Sequence, residues 1–456
     1  MILIQTILAF FVVLGTLVVV HELGHYWVAR WCGVKVLRFS VGMGKVIFSR
    51  RFGPDQTEWA VSALPLGGYV KMLDAREQDL ANLPAEDLKR EFTRQTVWRR
   101  IAIVAAGPIA NFLLAILIFA GLYSYGIPEP TTKLRAVPER SIAYQAGLRG
   151  GELITAVNGE PVEIWSDLRW KLIQLAVEKK PAQLDVQRPN PGPSAGNLLD
   201  TVIVPMDSLA AEDLEGDFLG KLGLDLARPK AVLGKILPGG PAHHAGLQEG
   251  DLILDVNGAP VADGLAFVEM VRASPGKPLK IGGVRAGRQE FNVAVIPQTQ
   301  IKDGRTFGRI QAEVPMMPEM IIAGAPPFKA LGKAAKKTWD TSALTLKMLG
   351  KMLIGEVSLK NITGPITIAD YAGQTARVGL ISFLSFIAFI SISLGVMNLL
   401  PIPVLDGGLL LYYSLEVLTG RPVSERFGDI AQRAGLGILM TLMIVAVFND
   451  IVRLIS

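Results

Sequence analysis

The chain has 456 residues, half of them hydrophobic, and a mean hydropathy of +0.37, too apolar for an ordinary soluble protein and too polar for a helix bundle alone. Its net charge of +5 is not gathered into a long basic stripe interleaved with aromatics, which excludes a nucleic-acid binder. One cysteine, Cys32, excludes an internal disulfide and any Cys-rich metal site, and only His21, His25, His243 and His244 are available as imidazole ligands.

The first predicted element is a membrane-spanning helix. Met1–Val20 carries no charge, is about as long as the roughly 20 residues a bilayer core requires, and lacks the basic start and cleavage signal of a removed leader. It continues directly into His21-Glu22-Leu23-Gly24-His25. Two histidines at i and i+4 share a helix face and can reach one zinc ion, leaving the carboxylate between them free to act as a general base. The domain beginning the chain is therefore 1–28, a transmembrane helix with HExxH.

Residues 29–100 form a membrane-associated β region in which Val34–Arg50 and Thr57–Leu73, rich in Val, Ile, Phe and Leu, are expected to make strands or hairpins beside the site. Gly42, Gly44, Gly67 and Gly68 lie within it, and glycine in a strand lets another backbone approach closely. Tight turns of a membrane-skirting sheet and a grip on a substrate strand are both open. A second span covers 101–123, just after Arg99-Arg100.

The middle of the chain contains a duplication. Ala143–Ile154, with Val157-Asn158-Gly159 and Pro161-Val162, matches Ala242–Ile253, with Val256-Asn257-Gly258 and Pro260-Val261, at a constant offset of 99 residues. Each copy predicts a short helix ending at Ala-Gly-Leu and a strand turning at Asn-Gly. The pattern resembles the PDZ domain of bacterial membrane-associated proteases, placing one domain at 131–217 and a second at 218–300. Such domains bind extended peptides at a sheet edge. Leu219, Gly220, Leu222 and Gly223 resemble the groove loop of the second copy, although both domains acting as plain spacers is an alternative. His243 and His244 fall in the second copy and are expected to be surface residues. Gln187–Gly196 predicts a loop within the first.

Residues 301–377 predict amphipathic connecting helices, with Lys329–Lys360 lying on a membrane surface or presenting a solvated face. A break at Asn361–Ile366 precedes a third span at 378–408, itself interrupted around Asn398–Pro403. A connection at 409–433 leads to a fourth span at 434–456. Arginines and lysines between the first two spans and between the last two place both connections in the cytoplasm. Both termini and the duplicated domains are then expected on the outer side.

The missing third ligand follows by elimination. Few acids flank or enter the apolar segments, and Asp406, at the end of Asn398-Leu399-Leu400-Pro401-Ile402-Pro403-Val404-Leu405-Asp406-Gly407-Gly408, is expected at the same cytoplasmic depth as His21 and His25. Two histidines and one aspartate leave a position open, as in catalytic rather than structural zinc sites. Glu22 would move the proton. Asn398 either donates a hydrogen bond to the developing oxyanion or substrate backbone, or caps the interrupted helix.

HELGH ending a first span, the tandem repeat, and NLLPIPVLDGG closing a third together resemble the site-2 protease family, as do Leu64–Lys71 and Ala105–Phe112. The resemblance covers essentially the whole chain. It implies a multi-pass α-helical membrane protein of about four spans with a cytoplasmic membrane-associated β-hairpin region and two tandem extracytoplasmic PDZ domains, in a bacterial inner membrane. It implies an intramembrane zinc protease that cuts single-span membrane proteins, such as anti-sigma factors, among membrane lipids. His21, His25 and Asp406 are then the ligands, Glu22 the base and Asn398 an assistant. The hairpin of Gly42 and Gly44 would pair with substrate, and the PDZ pair would exclude substrates with bulky outer domains. One departure is Leu409, where members often have His. The alternatives are a membrane-anchored PDZ peptide receptor or chaperone with an inactive metal site, and a metal-coupled transporter, against which stands the absence of an inverted repeat.

Overall fold

A long uncharged run has no water in which to satisfy its backbone, so helix is its stable form in a bilayer. In the computed structural model this gives α1 (Ile2–Trp31), which carries the HExxH within it and ends only at Gly33. The structure describes residues 2–76, 78, 83–188, 198–207, 209, 217–285, 289–302, 305–356 and 363–455. Two strands follow, β1 (Val36–Phe52) and β2 (Thr57–Met72), then α2 (Ala85–Lys89) and α3 (Val97–Tyr125).

The strands β1 and β2 fold back on themselves. Residues 36–41 pair with 68–72 on one side and with 58–61 on the other, while 46–52 pairs with 57–62. The result is a four-segment curled sheet rather than a simple hairpin, with 68–72 at one edge. Its inner face packs Val36 and Phe39 with Tyr26 of α1, Ile103 and Val104 of α3, and Phe92. Glu91 holds the segment before α3: fully buried, it accepts hydrogen bonds from the backbone N–H groups of Ala75, Thr93 and Arg94 and from the Thr93 hydroxyl.

The chain divides into two compact units, 1–127 with 324–456, and 128–323. The second begins at β3 (Ile127–Pro130), continues through α4 (Ile142–Gln145), β4 (Leu153–Val157), β5 (Glu160–Pro161), α5 (Trp165–Glu178), β6 (Ala182–Arg188), β7 (Leu198–Val204) and α6 (Phe218–Leu222). It then repeats as α7 (Pro241–His244), β8 (Leu252–Val256), β9 (Ala259–Pro260), α8 (Gly264–Arg272), β10 (Leu279–Arg285) and β11 (Gln289–Val295), before β12 (Gln298–Lys302), β13 (Arg305–Arg309) and β14 (Met320–Ala323). The two sheets have the same order, β5-β4-β6-β7 and β9-β8-β10-β11. The duplication extends to single hydrogen bonds: the Asn158 side-chain oxygen accepts from Gln183 N–H and that of Asn257 from Lys280 N–H, while Arg188 and Arg285 donate to the carbonyls of Gly147 and Gly246. Both asparagines have positive φ, 50° and 54°, as the tight Asn-Gly turn requires.

One expectation is overturned within this unit. Leu219, Leu222 and Leu224 lie in the core of the first copy, not at the start of the second. Each copy closes with a late segment that pairs back to its beginning, Leu134 with Leu226 and Ile236 with Ala312, so 218–226 belongs to the copy it ends. Gly220 and Gly223 go with it, the former capped by Asp217. The expected loop at 187–196 lies mostly outside the described residues, as does part of the expected break at 361–366.

The first unit resumes with α9 (Pro327–Leu353), α10 (Pro365–Val378), α11 (Leu380–Leu399), α12 (Asp406–Thr419) and α13 (Glu425–Ile455). The amphipathic α9 buries Ala330, Ala334, Thr338, Thr341 and Leu344 along one stripe, and Ala334 packs with Ala115, Phe119 and Leu122 of α3. It is thus a packed helix on that face. Asp450 of α13 is buried and accepts from the N–H groups of Gly364, Ile366 and Thr367, capping α10 from a distant part of the chain. Among the described residues four helices, α1, α3, α11 and α13, are long and apolar enough to cross a membrane. The last is longer than its apolar run, beginning at Glu425 rather than at 434. Asp406 does not close the third span. The chain leaves helical geometry at Leu400, and Asp406 opens α12 instead, because Pro401 and Pro403 cannot continue a helical ladder.

Candidate active site

Three side chains from the two ends of the chain converge in the first unit. His21 Nε2 stands 3.2 Å from Asp406 Oδ2, His25 Nε2 3.6 Å from the same oxygen, and the two Nε2 atoms 3.2 Å from each other. This is the group of His, Cys, Asp and Glu side chains among the described residues whose spacing could hold a metal ion. Ligands bound tetrahedrally at zinc–nitrogen lengths of about 2.0–2.1 Å are separated by about 3.3 Å, so the spacing fits zinc.

The protonation pattern fits as well. His25 Nδ1 lies 2.8 Å from the carbonyl oxygen of Ile103. A carbonyl only accepts, so Nδ1 carries the proton and Nε2 turns its lone pair to the centre. His21 Nδ1 lies 3.2 Å from the side-chain amide of Asn111, whose own Oδ1 is buried and without a hydrogen-bond partner. The two orientations of an amide occupy the same space. With the oxygen turned to His21, Asn111 accepts the Nδ1 proton, its orphaned atom is satisfied, and His21 Nε2 also faces inward as a lone pair. Two lone pairs and a carboxylate oxygen aimed at one point, 91% removed from solvent at His25, call for a cation.

Helix α3 makes this arrangement possible. Pro108 interrupts its ladder beside the carbonyl that serves His25, and Gly107 leaves the space the imidazoles occupy: a Cβ there would stand 2.3 Å from His25 Nε2 and 2.8 Å from His21 Cε1. Ile103, Gly107 and Asn111 were given no role by sequence reasoning. The i, i+4, i+8 spacing of 103, 107 and 111 was a signal that they share a face.

Glu22 is half-buried, with no hydrogen bond formed to it among the described residues. Its neighbour is the sheet: a Cβ on Gly68 would meet Glu22 Cγ at 3.0 Å and Val18 Cγ1 at 2.9 Å, so the edge segment 68–72 meets Glu22 at Gly68. Gly67 faces Met43, and Gly42, at φ +91°, turns against the carbonyls of Ser62 and Leu64, while Gly44 approaches the Leu64 side chain. Of the four glycines, Gly68 is the one set against Glu22. Asn398 occupies the last turn of α11, half-buried, with no hydrogen bond among the described residues. Leu219, Gly220, Leu222 and Gly223 belong to the other unit.

The model of peptidase family M50 matches residues 9–442. The chain is 38% identical over 452 residues to a protein of Escherichia coli strain K12 named regulator of sigma-E protease RseP, covering 98% of both chains. It is 39% identical over 453 residues to Protease RseP of Yersinia pestis, again over 98% of both. A Ralstonia nicotianae protein whose name carries the words zinc metalloprotease is 42% identical over 461 residues and 98% of both.

Proposed function

The chain belongs to peptidase family M50 and is a membrane-embedded zinc metalloprotease, and from that premise we propose that it cuts peptide bonds within the transmembrane segments of single-span membrane proteins, anti-sigma factors among them. The observation that carries this reading is the place of the triad: His21 and His25 lie inside the helix that forms the first candidate span. A peptide bond must come to that depth to be cut. The setting is the inner membrane and the signalling route is regulated intramembrane proteolysis in response to envelope stress.

His21, His25 and Asp406 hold the zinc, which when bound supplies a Lewis acid polarising water and the scissile carbonyl. Glu22 takes a proton from the attacking water as its oxygen adds to the carbonyl carbon. It then delivers that proton to the amide nitrogen as the carbon–nitrogen bond breaks, leaving a carboxyl and an amine. A helix cannot offer its carbonyls to a nucleophile while they are bonded internally. The 68–72 segment is an edge of the sheet set against Glu22 at Gly68, and would hold the unwound substrate as an added strand. Asn398 would steady the substrate backbone or the oxyanion. The duplicated unit acts as a pair of PDZ domains on the outer side that keeps bulky ectodomains from the site. Its support is the shared strand order and the recurring Asn-Gly turns.

The test is Glu22→Gln in detergent-purified protein with a helical transmembrane substrate. Cleavage should fall by about 10²–10⁴-fold, the usual worth of a general base, with one zinc per chain retained. Undiminished cleavage would remove Glu22 from the mechanism.

A further inference from the structure

Asp406 is the ligand least secured by its surroundings. It is the first residue of α12, and the segment before it, Leu400–Leu405, is not helical and includes Val404 at φ +96°. That linker fixes where α12 begins, through Gly407 and Gly408 packed on the carbonyls of Leu400 and Ile402. A helix held at its start alone can still pivot, and a pivot moves the carboxylate relative to the histidines.

A second anchor lies along α12. Tyr413, two turns from Asp406 and on the same face, is buried, with the Arg100 guanidinium 4.7 Å above its ring. Arg100 also donates to Glu416 at 2.6 Å, with both side chains largely shielded from solvent. Phe92 also lies against Tyr413, with ring centroids 6.4 Å apart. At 1.5 Å per residue, Glu416 is about 15 Å along the helix from Asp406, a long lever.

Arg100 is on α3, and it shares the stripe that serves the histidines. Residues 100, 103, 107 and 111 fall on one face at helical spacing. Along that stripe Arg100 holds α12, the Ile103 carbonyl holds His25, Gly107 admits both rings, and Asn111 meets His21. The geometry points to Arg100 and Glu416, stacked on Tyr413, as a positioning pair that sets the distance between Asp406 and the two histidines and so tunes zinc affinity from outside the ligand set.

The experiment uses the full chain in detergent, measuring zinc affinity against a chromophoric chelator and the visible absorption of the cobalt-substituted protein. Glu416→Gln and Arg100→Met should each weaken zinc binding by about 10–100-fold, the range typical of groups that orient ligands from behind, and shift the cobalt bands. The charge-swapped double variant R100E/E416R should recover part of the affinity. The control is Asp55→Asn, which breaks an ion pair with Arg90, bidentate at 2.6 and 2.7 Å, that touches neither α12 nor the ligands. It should leave zinc affinity and spectrum unchanged. If Glu416→Gln is not recovered folded, Arg100→Lys keeps the charge while losing the planar fork, and the same weakening and spectral shift are expected. Unaltered affinity and spectrum in the Arg100 and Glu416 variants would overturn the assignment, as would an equal loss in Asp55→Asn.

Discussion

Gly107 shows how little room His21 and His25 have. A methyl group there would sit well inside contact distance of His25 Nε2 and close to His21 Cε1. Neither ring can retreat freely, because His25 is tied to the Ile103 carbonyl and His21 abuts Asn111. Gly107→Ala should therefore keep the helical content of the protein while weakening zinc binding by about tenfold or more, as read by equilibrium dialysis against a zinc buffer. At this scale much of the site was legible in the sequence. HExxH named two histidines and a carboxylate, the scarcity of other histidines pointed to Asp406, and the structure brings Asp406 within 3.6 Å of both imidazoles. What was not legible is the back side of the site. Ile103 contributes a main-chain carbonyl, and any residue type could supply one; Gly107 contributes an absence.

Among the elements, the sheet and the segment beside it govern how α1 and α3 meet. Sequence patterning indicated strands across 34–73 but not which would pair. Ser40 bonds in register with both Ala60 and Tyr69, and alternation along a strand carries no information about so non-local a choice. The same limit misplaced Phe218–Leu224. The repeat offset marks the helix and the Asn-Gly turn, whereas the closing segments of the two copies have diverged and only packing assigns them. The Glu91 staple carries a pH prediction. Burial works to raise its carboxyl, but donations from Ala75, Thr93 and Arg94 prevail and hold it below its usual 4.5. A depressed carboxylate stabilises the fold above the ordinary value and loses that contribution as pH falls through the folded value. Amide exchange at residues 90–96, corrected for intrinsic rates, should therefore accelerate as pH drops below about 4.5. In Glu91→Gln it should already be fast at neutral pH and show no further acid step.

For the whole molecule, the decisive feature is that residues 128–323 are an insertion in a discontinuous membrane unit. Gly126 and Gly324 lie side by side, a Cβ on Gly324 falling 3.4 Å from Gly126 Cα, and Ala325 N–H donates to the Tyr123 carbonyl at 2.9 Å. Joining 126 to 324 through a short Gly-Ser bridge should thus leave the helices assembled and zinc bound. Such a chain should cleave a trimmed transmembrane substrate as before and accept one with an intact outer domain; failure on both substrates with zinc still bound would contradict a filtering role for the insertion. The discontinuity also has a consequence for synthesis. His25 and Asp406 are 381 residues apart, and at translation rates of about 5–20 residues per second the second emerges about 20–80 s after the first. On the proposed ligand set, the nascent chain holds two imidazoles with no third ligand through that interval, and the intervening unit is finished before the metal centre can close. On that reading the protease is born inert, and its order of assembly places the insertion ahead of the activity it is proposed to restrain.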